Sequence, residues 1–374
     1  MNFVFLQRFK TMVDAAEIQR KFCRTLHRWY AESARELPWR QTRDPYLIWL
    51  SEVILQQTQV AQGRSYYEAF VNRYPTVNDL AEAPLDDVLK LWQGLGYYSR
   101  ARNLHAAAKM VVADFDGRFP ETSAELQKLK GVGRYTAAAI ASFAFGEPVA
   151  VVDGNVYRFL SRYFGIDTPI DSTQGEKLFR ELAQQLLPAD KASLHNQAMM
   201  EFGALQCTPH ADCSLCPLNE TCSAFADGTV ALLPVKQHKV KVRTRYLHYI
   251  YIIADGTVML HHRNDPKDIW CGLYELPLVE NDAPLDFSEL VAHPRFLEIT
   301  ANQSVEFLAA SAEKNHQLTH QKLKARCFFV KTNQLFQTAL PEMEFVPLED
   351  LERYAVPKLV EMFLDEGTRI GEKA

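Results

Sequence analysis

The chain has 374 residues, 47% of them hydrophobic and 23% charged, with a formal net charge of −5 at pH 7. That length exceeds one ordinary core, so two domains with room for a minor third are expected, and the composition is that of a globular protein. The acidic balance excludes a simple polycation. With 24 Lys+Arg against 25 Asp+Glu through residue 225 and 17 against 21 beyond it, any nucleic-acid binding must rest on a local basic face. No apolar run reaches the length of a membrane span, and the first ten residues already carry Arg8 and Lys10. Neither a membrane segment nor a cleavable signal is expected, which places the chain in the cytoplasm.

Residues 1–30 are rich in helix formers, with Phe22, Leu26 and Trp29 at helical spacing. Pro38 makes the loop Leu37-Pro38-Trp39-Arg40 extended rather than helical. Asp44 before Pro45 marks a helix start, with the aspartate as N-cap and the proline at the first helical position. The helix is expected to run on through YLIWLSEVILQQTQV to Val60, apolar on nearly all sides as far as Leu55 and therefore buried. Ser51 and Glu52 are its polar exceptions. A buried Glu52 has two readings: a carboxylate satisfied by a neighbouring helix N-terminus, or a carboxyl whose desolvation fits it for general-acid chemistry.

Further helices are expected near 84–93, 99–115, 123–130 and 134–145, and Thr122 with Glu125 has the spacing of a capping box. The first two are joined by Gly94-Leu95-Gly96-Tyr97-Tyr98-Ser99-Arg100. Two adjacent tyrosines there cannot both face inward, so at least one is expected to be exposed, where it could stack on bases. A second pair, Gly131 and Gly133 in LKGVGRYTAAAI, reads as a tight hairpin between two short helices. Its N–H groups, followed at once by a helix N-terminus, make a site for a phosphate oxygen. No strand precedes either glycine pair, so a dinucleotide-binding reading is rejected. About twenty residues on, Asp153 is placed to cap the amphipathic helix 156–164, and helices at 174–187 and 191–206 follow. A phosphate grip and a carboxylate on one scaffold point to chemistry on a nucleic-acid strand.

Four of the seven cysteines, Cys207, Cys213, Cys216 and Cys222, crowd into sixteen residues. In a chain without a secretion signal that clustering favours a metal site over disulfides. Sulfur-only ligation suits Zn²⁺ or an iron–sulfur cluster, and a single CxxC pair between five-residue gaps leans modestly to the cluster. Residues 226–245 read as a linker whose basic strip, with Lys239, Lys241 and Arg243, either lies along a phosphate backbone or is merely solvated. Beyond it, YLHYIYIIADGTVMLHHR reads as two strands joined at Asp255-Gly256, with more strands near 304–309 and 325–331 and helices near 286–292 and 356–365. The expected fold is thus a mainly α region over 1–225, a linker over 226–245 and an α+β domain over 246–374.

These motifs together resemble the helix-hairpin-helix DNA glycosylases, and most closely those of the MutY type that act on adenine. The likeness is carried by LPWR, WLSEVILQQTQV, GLGYYSRARNLH, LKGVGRYTAAAI, VDGNVYR, NQAMMEFGALQC and the four cysteines. It covers residues 20–225 closely and the remainder more loosely. It implies a 4Fe–4S cluster on the cysteines, although the first gap is five residues where the family has six. It implies a nucleoid-associated, monomeric enzyme acting on double-stranded DNA in which adenine is mispaired with 8-oxoguanine or guanine, and no membrane partner.

The resemblance assigns Glu52 as the acid that protonates adenine and Asp153 as the carboxylate facing the sugar, with Tyr135 and Asn155 positioning them. Arg35, Trp39 and Gln197 match positions that shape the adenine pocket, and Gln57 and Tyr97 match residues that enter the vacated base stack. Relatives that also cut the strand carry a lysine two positions after the hairpin's second glycine, where this chain has Tyr135, so base removal without efficient strand cleavage is expected. The C-terminal region resembles the Nudix-related domain that reads 8-oxoguanine. The family's Phe-Ser-His triplet stands here as Leu318-Thr319-His320, which makes Thr319 and His320 the lesion readers. No glutamate-rich helix follows GLYELPLVEND, so pyrophosphohydrolase activity is not expected. Two alternatives are a glycosylase–lyase for oxidised pyrimidines, disfavoured by Tyr135, and a lesion-binding module without catalysis, disfavoured by the pair Glu52 and Asp153.

Overall fold

A computed structural model describes residues 12–237, 242–338, 340 and 342–371. The linker residues Lys239 and Lys241 lie outside the described residues. The chain divides into two compact units. One comprises residues 1–63, 74–78 and 106–238, and the other residues 64–73, 79–105 and 239–374.

In the first unit the helices Met12–Ser33, Gly154–Phe164, Thr173–Leu186 and Ala192–Leu205 pack around a core built from Phe22, Leu26, Phe159, Phe179 and Phe202. Phe22 stacks on Phe159 with ring centres 5.7 Å apart, which locks the first helix to the one that begins at Asp153. Gly203 has a packing reason: a Cβ there would sit 2.6 Å from the Asn155 carbonyl, so only glycine lets Ala192–Leu205 approach that backbone.

The expected helix from residue 46 to 60 is two elements. Pro45–Ile54 stops early, Gln57 adopts φ +55°, and a new helix runs from Val60 to Arg73. The polar run Gln56-Gln57-Thr58 competes for its own backbone: the Thr58 hydroxyl donates to the Gln56 carbonyl at 3.3 Å. Pro38–Arg40 is likewise not extended but a single 3₁₀ turn with Pro38 at its first position; only Leu37 before it is extended. Thr122 does cap Ser123–Leu126, while the Glu125 carboxylate accepts from the Thr122 hydroxyl.

The strands of the second unit are β1 (Arg243–Ala254), β2 (Thr257–His262), β3 (Tyr274–Glu275), β4 (Leu278–Asn281), β5 (Glu306–Ala310), β6 (Lys314–Gln317), β7 (Gln321–Lys331) and β8 (Met343–Pro347). They form one mixed sheet with the order β3-β2-β1-β7-β5, in which β4 also pairs with β1, β6 with β7 and β8 with β2. The long parallel pair β1–β7 is central, in register from Arg243 opposite Gln321 to Ile253 opposite Lys331. Asp255 and Gly256, both with positive φ, make the turn from β1 to β2. Alternation along β1 serves both faces of the sheet. Leu247, Tyr249 and Tyr251 pack with Val360 and Phe363 of the helix Lys358–Gly371. Ile250 and Ile252 pack with Leu290, Phe296 and Ile299 from Phe287–Val291 and Pro294–Ile299. Glu289 completes a capping box with Asp286, so both of these acids are used at the start of the helix Phe287–Val291.

Candidate active site and cysteine centre

The helix Pro45–Ile54 packs against Arg134–Phe145. Both are largely apolar, and Glu52 of the first meets Tyr135 of the second. The Tyr135 hydroxyl donates to Glu52 Oε2 at 2.7 Å. Glu52 is buried, and desolvation, reinforced by the charge of Asp153 and opposed by the Tyr135 bond and Arg40, raises its carboxyl from the ordinary 4.5 to about 7. The same burial pushes the Tyr135 phenol well above its usual value.

Asp153 caps the helix Gly154–Phe164, as its position predicts. Its Oδ1 accepts from Val156 N–H at 2.7 Å and its Oδ2 from Asn155 Nδ2 at 2.8 Å. Desolvation raises its pKa, against the pull of these hydrogen bonds and of the Arg158 charge, all of which favour the ionised form. Arg158 was not singled out from sequence, although it lies one turn beyond the capping aspartate. It donates to Asn155 Oδ1 at 2.9 Å, to the Gly203 carbonyl at 2.6 Å and to the Cys207 carbonyl at 2.7 Å, so the cysteine loop and the Asp153–Asn155 pair share one guanidinium.

Glu52, Asp153, Tyr135, Asn155, Arg35, Trp39, Gln57 and Gln197 all line one cavity of about 680 Å³. Arg35 is bidentate to Glu201, at 2.8 and 2.6 Å, and Arg40 reaches the same carboxylate at 2.7 Å. Burial would raise Glu201, but the bonds from Arg35 and Arg40 prevail and bring it down to about 2. Glu201 and Arg40 stand in the stretches NQAMMEFGALQC and LPWR, but the sequence assigned neither a role in the site. An acid inside the apolar run NQAMMEFGALQC, with two arginines flanking a proline loop far upstream, was the available signal. Gln197 is held by the Tyr30 hydroxyl at 2.9 Å.

Other candidates lie elsewhere. Gly131 takes φ +73°, which explains that glycine. Gly133 is the N-cap of Arg134–Phe145 at φ −80° and ψ 176° with no side-chain cap, and nothing stands within 4 Å of where its Cβ would be. Tyr97 is 46% exposed and Tyr98 buried. Tyr97, Thr319 and His320 line a separate cleft within the second unit, where the Tyr97 hydroxyl and Thr319 Oγ1 are 2.7 Å apart.

Cys207, Cys213, Cys216 and Cys222 are free thiols that line one small cavity walled by Phe159, Tyr163, Phe202, Leu218 and Phe225. The buried Arg162 places Nη1 3.7 Å from Cys207 Sγ. Among the described residues no three His, Cys, Asp or Glu side chains form a group that could hold a metal ion, and the four thiols share the lining of that one cavity. Among the described residues, too, no helix is long and apolar enough to cross a membrane.

The helical unit thus sets a glycine hairpin without a side-chain cap beside a cavity lined by two carboxyl groups, the buried Glu52 and the half-buried Asp153. Residues 50–185 match the HhH-GPD superfamily of base excision DNA repair proteins, and residues 248–366 match the NUDIX domain. A solved structure described as that of a thermostable thymine-DNA glycosylase covers 57% of this chain and 100% of its own, with a TM-score of 0.53 at 33% identity. The adenine DNA glycosylase of Buchnera aphidicola subsp. Baizongia pistaciae (strain Bp) is 36% identical over 258 residues, 68% of this chain and 73% of that relative. The adenine DNA glycosylase of Homo sapiens is 46% identical over 221 residues, 56% of this chain but 40% of its own length. The chain belongs to the adenine DNA glycosylase family.

Proposed function

We propose that this chain hydrolyses the N-glycosidic bond of adenine mispaired with 8-oxoguanine or guanine in duplex DNA, without cutting the strand. The observation that carries the reading is the buried Glu52, which holds its proton up to about pH 7 in the same cavity as Asp153. Adenine leaves poorly until a ring nitrogen is protonated, and a desolvated acid supplies that proton at neutral pH. The hydrogen bond from Tyr135 fixes the carboxyl group. As the bond to the sugar lengthens, C1′ becomes oxocarbenium-like, and Asp153, whose ionised form the Val156 and Asn155 bonds favour against desolvation, stabilises that charge or attacks it. Desolvation raises both carboxyl groups, and the two differ in their hydrogen bonds, one from the Tyr135 hydroxyl to Glu52 against those from Val156 N–H and Asn155 Nδ2 to Asp153.

The base must first leave the duplex, at a cost of a few kcal/mol. The uncapped helix start at Gly133 offers N–H groups to a backbone phosphate, with open space where a side chain would stand. Arg35, Trp39 and Gln197 form the walls that receive the adenine, and Gln57 and Tyr97 fill the stack it leaves. Thr319 and His320 read the opposite base. Among the described residues no lysine lines the cavity, which supports base removal without the Schiff-base chemistry that cuts a strand.

The four cysteines would hold a 4Fe–4S cluster. Their ring around an apolar-walled cavity, with the cation of Arg162 beside Cys207, suits a negatively charged group that spreads its thiolates over several metal atoms. Cys207, Cys213, Cys216 and Cys222 would be tied together by such a cluster, and Arg158 joins Cys207 to Asn155 through its bonds to the Cys207 carbonyl and Asn155 Oδ1. Elemental analysis of the purified protein should find about four iron and four acid-labile sulfide per chain; one zinc and no sulfide would exclude the cluster.

The deciding experiment incubates the full chain with duplexes carrying adenine, cytosine or thymine opposite 8-oxoguanine. Free adenine should come only from the first, and strand breaks should appear mainly after alkali. Breaks without alkali would favour a lyase, and tight binding without base loss would favour a binding module.

A further inference from the structure

The second unit holds a cleft of about 730 Å³ bounded by Tyr97, Trp270, Leu318, Thr319 and His320. Trp270 is half-buried at its wall and adopts φ +60°, a left-handed conformation that a bulky residue keeps only when its surroundings impose it.

The surroundings do impose it. Before Trp270, the Asp268 carboxylate is gripped by Arg245 at 2.6 and 3.0 Å and by Arg263, and the Ile269 carbonyl accepts from Arg263 Nε at 3.0 Å. After it, the Cys271 carbonyl accepts from Arg102, and the Gly272 N–H donates to the Arg263 carbonyl at 2.7 Å. Both neighbours of Trp270 are therefore fastened through their own carbonyls. Arg245 and Arg263 are themselves buried and paired onward, Arg245 with Glu280 at 2.7 and 2.6 Å and Arg263 with Glu275 at 2.6 Å.

The same network reaches the turn that carries Thr319 and His320. Arg245 Nη1 donates to Gln321 Oε1 at 3.0 Å, and Arg243 N–H donates to the His320 carbonyl at 3.0 Å. An ionic frame centred on the buried Arg245 and Arg263 thus flanks Trp270 and reaches Gln321, the residue after the polar turn, while a backbone bond from Arg243 holds His320. Base chemistry at Glu52 and Asp153 uses none of these groups; Trp270 packs in part against the hydrophobic core of the sheet and lies beside the His316 ring, 6.1 Å between ring centres, while it also lines the cleft.

We propose that Trp270 is a stacking platform for a nucleobase, a flat heteroaromatic of the strand opposite the excised adenine, and that Arg245 and Arg263 are positioning residues that aim it. The inference rests on the reading of the second unit as the part that inspects that strand. A π face tolerates any base, so Trp270 contributes affinity, while discrimination lies with the hydrogen-bonding turn.

The test measures binding of the full chain, in a Glu52→Gln background that preserves the substrate, to duplexes with 8-oxoguanine or guanine opposite adenine. Trp270→Ala should weaken binding to both about tenfold, the order of one base–aromatic stack, with the ratio between them kept. Trp270→Phe should restore most of the loss. Trp270→Leu, which fills the volume without a π face, decides the matter should the alanine variant unfold, and it too should bind about tenfold more weakly. Parental affinity in the folded leucine or alanine variant overturns the inference. Absence of any 8-oxoguanine preference in the parent would instead sink the reading of the second unit, so the two failures are distinguishable.

Discussion

Glu52→Gln is expected to slow adenine release by about 10³-fold, within the range a positioned general acid contributes, with duplex affinity nearly unchanged. Glutamine keeps an oxygen to accept the Tyr135 hydroxyl at the position where Glu52 Oε2 now lies 2.7 Å away, so the loss isolates the proton rather than the packing. Single-turnover release against filter binding separates the two quantities; equal losses in both would show that Glu52 is structural. Wild-type activity should also decline as pH rises through about 7, because only the protonated carboxyl can act. The sign for stability follows the same proton. A carboxyl raised from 4.5 to about 7 by burial binds its proton more tightly in the folded state. Folding is therefore favoured at low pH and loses stability as pH rises from about 4.5 to about 7. The full shift corresponds to about 3 kcal/mol, and Glu52→Gln should escape that loss and melt no lower than wild type at pH 8.

Asp153→Asn is expected to lower the rate by a further independent route, again about 10³-fold, the scale of removing one preorganised electrostatic group from a transition state. Asparagine still caps a helix, so the Val156 N–H keeps its acceptor and the fold should stand. The pH profile carries a second signature. The Asp153 charge is one of the causes that raise Glu52, so its removal should move the basic limb of the residual activity to lower pH. An unmoved limb would mean that the two carboxyl groups do not sense each other as their shared cavity implies.

Most of the site was legible because its signals were local. Asp44-Pro45 starts a helix by itself, Asp153 caps one through an N–H three residues on, and a glutamate in an otherwise apolar turn stands out against its neighbours. The misses have a common character. Glu201 is one acid within the run NQAMMEFGALQC, and its use is decided only when Arg35 and Arg40, over 160 residues away, fold onto it. Arg158 reads as a solvated helix cation, yet it joins the cysteine loop to Asn155 through carbonyls no sequence pattern marks. The end of the helix at Ile54 was hidden as well, because Gln56 and Thr58 are tolerable helix residues that instead spend their side chains on the backbone and on Thr136.

By itself the sequence determined most of the helices and strands, the glycine hairpin, the four-cysteine set and the two candidate carboxyl groups, since each is marked by residues close to it in the chain. Only the tertiary structure decided which of these meet. It buried Glu52 against Tyr135 and so set its proton affinity, it divided the candidates between a cavity in one unit and a cleft in the other, and it clamped Trp270 into a conformation its own side chain opposes. Proton affinity and backbone strain are properties of surroundings, and surroundings exist only once distant segments have packed.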